Sequence, residues 1–193
     1  MQKIILASGS AQRKSLFSVL SVPFEAISAD IDEKAIRDNN LKIQAEKIAR
    51  AKAEKIASEN IGIIIAADTF VVLDGQVLEK PKDTGEAKKM LELQSGRDAI
   101  VYTGFCYLDA ENGMNFSDTA VTNITFRKLS DDEIEEYINK FPVTGWSAAF
   151  STSHLYGAAL ISQVNGSFTG LTHGLPIELL IPLLKKSGIN ARP

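Results

Sequence analysis

Five stretches of this chain carry charged or hydroxyl side chains in patterns that suit chemistry on phosphate groups. Asp68 is the most informative. It stands inside Ile63-Ile64-Ile65-Ala66-Ala67-Asp68-Thr69-Phe70-Val71-Val72-Leu73, a run apolar and β-branched enough to be a central strand covered on both faces. An unpaired carboxylate there would cost several kcal/mol, so Asp68 must be hydrogen-bonded, paired or metal-bound. The structural reading is an Asp at a strand end or bulge, bonded to backbone amides. The functional reading is a catalytic or metal-binding carboxylate at a cleft.

The other four stretches tip the balance toward function. Ser8-Gly9-Ser10-Ala11-Gln12-Arg13-Lys14 follows one apolar segment and opens a helical one. Small residues let backbone approach a ligand closely, and hydroxyls with helix N-terminal amides suit phosphate oxygens. Arg13 can add a bidentate contact. The Gly-Lys-Ser/Thr ending of a Walker loop is absent, and a plain Ser cap followed by a solvated Arg and Lys remains the alternative. Asp30-Ile31-Asp32-Glu33 places three carboxylates at a strand's end, where they could ligate a hard divalent cation or simply be solvated. Along 41–58 an apolar stripe runs Leu41, Ala45, Ile48, Lys52, Ile56, so Lys52 points the same way as the isoleucines. It either snorkels past them or reaches into a cleft. In Glu79-Lys80-Pro81-Lys82, Pro81 makes Lys80 extended and aims its amine, although a Lys-Pro-Lys segment is also an ordinary solvated loop.

Together these residues supply acids to hold a metal and position a water, and cations to neutralise oxygens. That is the inventory for attack on a polyphosphate. A nucleophilic triad fits poorly, because His154 and His173 are the only histidines and no Gly-x-Ser-x-Gly elbow exists. Cys106 is the only cysteine, so an intramolecular disulfide is impossible, and its apolar context reads as a buried structural thiol.

The elements that must position these groups follow from periodicity. Strands are expected near 3–8, 24–28, 62–73, 99–110, 117–127 and 158–165, and helices near 11–20, 41–58, 84–94, 130–139 and 175–187. Ser130 with Glu133 is a capping box, Pro176 suits a helix's first turn, and Pro182 predicts a kink or restart. The segments flanking Glu111-Asn112-Gly113 read as a hairpin, so the sheet is mixed. The chain of 193 residues shows no linker or repeat and is expected to form a single domain, 1–193. Its hydrophobic content of 45 % and charged content of 23 % are those of a globular protein. A net charge of -3 without a basic run argues against a nucleic-acid partner. The N-terminal apolar stretch is too short for a signal-peptide core or membrane span, which points to a cytoplasmic protein with no membrane partner.

Read in order, Ile5-Leu6-Ala7-Ser8-Gly9-Ser10…Arg13, Asp30-Ile31-Asp32-Glu33, Ala49…Lys52-Ala53, Ala67-Asp68-Thr69, Lys80-Pro81-Lys82, Ser95-Gly96-Arg97, Val101-Tyr102-Thr103-Gly104 and Gly174-Leu175-Pro176 resemble the Maf family. Its members are also called septum formation inhibitor Maf-like proteins, and the likeness covers essentially the whole chain. The resemblance implies a mixed twisted α/β sheet with flanking helices and two lobes around a cleft, similar to inosine triphosphate pyrophosphatases. It further implies metal-dependent hydrolysis of nucleoside triphosphates to the monophosphate and pyrophosphate, as house-cleaning of the nucleotide pool. The family's substrates include dTTP, UTP and modified nucleotides, its cofactor is Mg²⁺ or Mn²⁺, and a homodimer is compatible with it.

Carried over by motif, Asp68 is the base or water-positioning residue. Glu33 and Asp68 are metal ligands, and Glu33, Lys52 and Lys80 complete the catalytic set. Ser8, Ser10, Gln12, Arg13, Thr69, Lys82 and Ser153 fall at the substrate. Two of these depart from the family pattern. Members acting on dTTP and UTP read Ser-Pro-Arg-Arg where this chain has Ser10-Ala11-Gln12-Arg13, and those acting on 7-methyl-GTP carry an aromatic at the Gln12 position. Ser153 falls where Gln or Glu normally stands, and Gly166 to His173 is also altered. These departures predict a base preference different from the common pyrimidine substrates. They also keep open a second function, a nucleotide-binding regulator linked to cell division without significant turnover.

Overall fold

The computed structural model describes residues 2–192. Met1 and Pro193, the two ends of the expected 1–193 domain, lie outside the described residues. The chain forms β1 (Ile4–Leu6), α1 (Ala11–Ser18), β2 (Glu25–Ala26), α2 (Leu41–Ala57), β3 (Ile63–Leu73), β4 (Gln76–Leu78), α3 (Thr84–Gln94), β5 (Asp98–Asp109), β6 (Met114–Phe126), α4 (Asp131–Lys140), α5 (Leu155–Ala158), β7 (Ile161–Asn165), α6 (Phe168–His173) and α7 (Ile177–Lys186). Short 3-10 turns occupy Glu33–Ala35, Val143–Gly145 and Ser147–Ala149.

One mixed sheet runs in the order β2-β1-β3-β5-β6-β7, with β4 paired to β3 off that path. β1 is parallel to both β2 and β3, and the remaining pairs are antiparallel. The expected hairpin forms as β5 and β6, whose paired ends are Asp109 and Met114. On one edge β3 pairs with β5 over residues 63–72. On the other it pairs with β1 only over 63–65 and with β4 only over 71–73. Residues 66–70 therefore face an opening in the sheet, between the end of β1 and β4.

Strand alternation decides what covers β3. Ile64, Ala66, Phe70 and Val72 lie against α2 through Ala45, Ile48, Ala49, Ala53 and Ile56. The opposite face divides in two. Ile63, Ile65 and Ala67 pack with Leu16, Phe17, Leu180 and Leu184 of α1 and α7, whereas Val71 and Leu73 pack with Leu91, Ile134 and Tyr137 of α3 and α4. Thr69 falls between these two cores, and Asp68 falls in the middle of the α2 face. The two-lobed arrangement around a cleft thus follows from one strand serving four packing clusters, two of them on the α2 face.

Several expected boundaries differ from the structure. The segment expected as a strand at 158–165 starts on the last residue of the short helix α5, and only Ile161–Asn165 forms the strand that pairs with β6. Pro182 causes no break in α7. It lies on the exposed face, where water can reach the Glu178 carbonyl that its missing amide would have bonded. The capping box forms as expected, with Ser130 and Glu133 each bonding the other's backbone amide.

Candidate active site

Lys52 projects from α2 toward the even face of β3. Its ammonium donates to Asp68 Oδ1 at 2.7 Å and lies 2.8 Å from Glu33 Oε1. Lys52 and Asp68 are 8 % and 7 % exposed, while the Glu33 side chain is half exposed. The buried carboxylate anticipated from the strand pattern is therefore paired, and the helical lysine that shares its stripe is the partner. α2 comes this close because Gly104 of β5 stands opposite Asp68 in the register. A Cβ on Gly104 would lie 2.0 Å from the Ala45 carbonyl oxygen, so any side chain there would push α2 away. Of the acidic loop, Glu33 enters the array. Asp32 is used locally, accepting the Lys34 and Ala35 amides at 3.1 and 3.3 Å.

The loop between β1 and α1 supplies the second side of the site. Ser10 is the N-cap of α1 and accepts the Arg13 amide at 3.4 Å, while its hydroxyl donates to Gln12 Oε1 at 3.1 Å. The cap reading and the ligand-loop reading thus coexist in one residue. Arg13 is held at three nitrogens: Nε donates to the Gly174 carbonyl at 2.8 Å, Nη1 to Ser8 Oγ at 3.3 Å and Nη2 to Thr69 Oγ1 at 3.3 Å. The guanidinium carries five donors, so two N–H groups are left for a ligand. Burial lowers the Arg13 pKa, and the charges of Asp68 and Glu33 oppose that shift. Gly174 adopts φ 67°, and a Cβ there would lie 2.9 Å from Thr69 Oγ1 and 3.2 Å from two Arg13 nitrogens. Both the backbone and the guanidinium require glycine. Thr69 passes the network on to Thr103 Oγ1 at 3.4 Å, which donates to the Gly170 carbonyl at 3.1 Å.

A cavity of about 500 Å³ joins these groups. Ser8, Ser10, Gln12, Arg13, Glu33, Lys52, Asp68, Thr69 and Lys80 line one part of it. Trp146, Ser147, Phe150, Ser151, Thr152 and the 171–174 segment line the rest. A second cavity of about 480 Å³ shares Glu33, Asp68, Thr69, Lys80 and Ser147 and adds Lys34, Arg37 and Glu79. Asp68 thus lies where the two cavities meet. Such a floor, with one buried acid beside fixed cations and hydroxyls, can orient a water against an anionic ligand.

Two residues expected at the substrate lie elsewhere. Lys82 is exposed and lines neither cavity, because the chain turns there into α3 and the Lys82 amide bonds Glu86 at 2.6 Å. Ser153 also lies outside both cavities. Its hydroxyl is 2.7 Å from Ser151 Oγ, which also accepts its amide at 3.3 Å, and Ser151 and Thr152 line the wall in its place. Conversely, Thr172 and His173 line the cavity without any periodicity or motif to select them. In the sequence both fall within the altered stretch from Gly166 to His173, and His173 is otherwise only a histidine lacking triad partners.

The family model described as Maf-like protein matches residues 3–187. The dTTP/UTP pyrophosphatase of Ruminiclostridium cellulolyticum is 34 % identical over 188 residues, spanning 96 % of this chain and 96 % of its own length. That of Clostridioides difficile is 36 % identical over 184 residues, spanning 95 % and 94 %. Among solved structures, the Ham1 protein of Staphylococcus aureus shares 16 % identity with a TM-score of 0.57, covering 96 % of this chain and 100 % of its own. A HAM1 protein from Coxiella burnetii gives 17 % and 0.54 with the same coverage. At such identities the two structures speak for the fold, and they share its mixed α/β sheet with flanking helices. With a family match over nearly its full length and relatives more than a third identical, this chain belongs to the Maf-like protein family.

Proposed function

We propose that this protein hydrolyses nucleoside triphosphates to the monophosphate and pyrophosphate with Mg²⁺ or Mn²⁺, removing such nucleotides from the pool. The observation that carries the reading is the Asp68 carboxylate, buried beside the Lys52 ammonium where two cavities meet. The relatives' names, dTTP/UTP pyrophosphatase, support it. Asp68 Oδ1 is committed to Lys52, and Oδ2 has no protein donor among the described residues. Oδ2 is free to accept a proton from water. With a triphosphate in the cleft, Arg13, Lys52, Lys80 and the hydroxyls of Ser8 and Ser10 neutralise and hold its oxygens. The water oriented by Asp68 bonds to the α-phosphorus, the bridging P–O bond opposite it breaks, and pyrophosphate departs with its charge balanced by the lysines.

Glu33 and Asp68 are the residues that would hold the divalent ion. Two carboxylates without His or Cys suit a hard cation that keeps waters and shares substrate phosphates. No group of three or more His, Cys, Asp or Glu among the described residues offers an all-protein cage instead. When bound, the ion supplies further neutralisation of phosphate oxygens. Ser153 lies outside the cavity, so of the positions that depart from the family pattern Gln12 and the 171–173 end of the altered segment are the ones that meet the base. Chromatography of the products over a panel of dTTP, UTP and modified triphosphates, with Mg²⁺, Mn²⁺ or EDTA, tests the reading. Monophosphate and pyrophosphate appearing only with metal is the expected result. Diphosphate and orthophosphate would contradict it. Nucleotide bound but unchanged in every metal would leave a regulatory binder.

A further inference from the structure

The turn at Ser147–Ala149 holds its backbone in a seldom-used shape. Ala148 and Ala149 adopt φ 57° and 61°, and both are fully buried. Left-handed backbone presses a Cβ against the following carbonyl, so non-glycine residues persist there only where surrounding contacts hold them. No other adjacent pair of non-glycine residues among the described residues has positive φ.

Three bonds supply the hold. Ser147 Oγ donates to the Leu78 carbonyl at 2.6 Å, the Ala148 amide to the Glu79 carbonyl at 3.2 Å, and Gln94 Nε2 to the Ala148 carbonyl at 2.9 Å. Gln94, the last residue of α3, is fully buried, and its Nε2 also donates to the Met90 carbonyl at 2.9 Å. Both partners are carbonyl oxygens, so the nitrogen of the amide must be the atom that faces them. Oε1 is left with no partner among the described residues. A buried amide oxygen without a donor is unfavourable, and an apolar side chain would fill this position without that cost. Stability alone does not account for a glutamine here.

The bonds to Leu78 and Glu79 fix the approach to Lys80. Leu78 ends β4, and the Glu79 carbonyl belongs to the peptide that leads into Lys80. Pro81 follows, buried and rigid. Lys80 itself is exposed and lines both cavities, so its backbone is held on either side while its ammonium reaches the cleft. Resting on the pyrophosphatase reading, we propose that Gln94 is a positioning residue: through Ala148 it fastens the strained turn against Glu79 and so aims Lys80 at the triphosphate. Gln94 lines neither cavity, so it acts through the turn and not on the ligand.

A double-mutant cycle tests this. Gln94→Met, which keeps the side chain's bulk, should lower kcat/KM for a nucleoside triphosphate by about ten- to a hundredfold. The loss should divide between kcat and KM as it does in Lys80→Met. Introduced into Lys80→Met, the same change should alter kcat/KM by less than about twofold, because the group it aims is gone. A merely structural role, or one exerted through Trp146 and Phe150 on the cavity wall, would give the same loss in both backgrounds and overturn the proposal. If Gln94→Met does not fold, Ser147→Ala removes the bond to Leu78 without touching the core and enters the same cycle with the same expectation. If no triphosphate is turned over, the pyrophosphatase reading fails separately. The cycle run on dissociation constants of pyrophosphate then decides Gln94, and additive losses or no binding there would overturn its role.

Discussion

Lys52 and Asp68 stabilise the molecule only as a pair, because each is buried with the other as its principal compensation. Removing the ammonium in Lys52→Met leaves a buried carboxylate facing Glu33. It should lower unfolding free energy by about 3–5 kcal/mol. Adding Asp68→Leu should recover most of that loss, since an apolar pair of similar volume is a tolerable substitute for a buried ion pair. Urea unfolding of the two variants measures both, and a double variant as unstable as the single would contradict the account. Both residues are legible in sequence, since each is a polar interruption of an apolar period. Glu33 is only partly so, since Asp30, Asp32 and Glu33 look alike until the 3-10 turn assigns Asp32 to backbone capping. Ser153 and Lys82 mislead for a similar reason: their types suit a phosphate or base, but the local turns direct them elsewhere.

At the scale of elements, the site depends on two close approaches. α2 sits over β5 at Gly104, and Gly104→Ala should cost about 1–3 kcal/mol through overpacking. It should also reduce turnover, because the helix that shifts is the one carrying Lys52. The joint between α6 and α7 turns at Gly174 beneath Arg13. Gly174→Ala should cost about 1–2 kcal/mol in backbone strain alone and should raise KM as the guanidinium moves. Denaturant melts and initial rates on the same preparations check both variants, and unchanged KM in Gly174→Ala would contradict the role given to Arg13. Strand and helix types are readable where the periodic run is long, as in 41–58 and 62–73. Short elements such as Gln76–Leu78, Leu155–Ala158 and Phe168–His173 carry too few residues to show a period, and tertiary packing specifies them. The opening at residues 66–70 is likewise invisible in one strand's sequence, because it arises from where β1 stops and β4 begins.

Across the whole molecule, distant segments are tied at Asp109, which is fully buried at the end of β5. Burial raises its pKa, but bonds from Ser187 after α7, Asn112 in the hairpin turn and Gln2 near the N-terminus outweigh that and hold it below the ordinary carboxylate value. A depressed carboxyl contributes stability that is present above its unfolded pKa and lost as pH falls through the folded one. Thermal melts from neutral to acid pH should therefore show a steep acid limb that Asp109→Asn flattens, with neutral-pH stability lower in the variant. An acid limb identical in both proteins would refute this. None of these ties reaches the cleft, so the fold's acid sensitivity and the chemistry at Asp68 can be separated by working near neutral pH. There the most direct measurement is pyrophosphate release from nucleoside triphosphate with Mg²⁺ by the unaltered protein and by Asp68→Asn. Metal-dependent release is expected, with a kcat that falls by roughly two to four orders of magnitude in the variant, as for loss of a general base. Release at near-unaltered rate by a folded Asp68→Asn protein would contradict it.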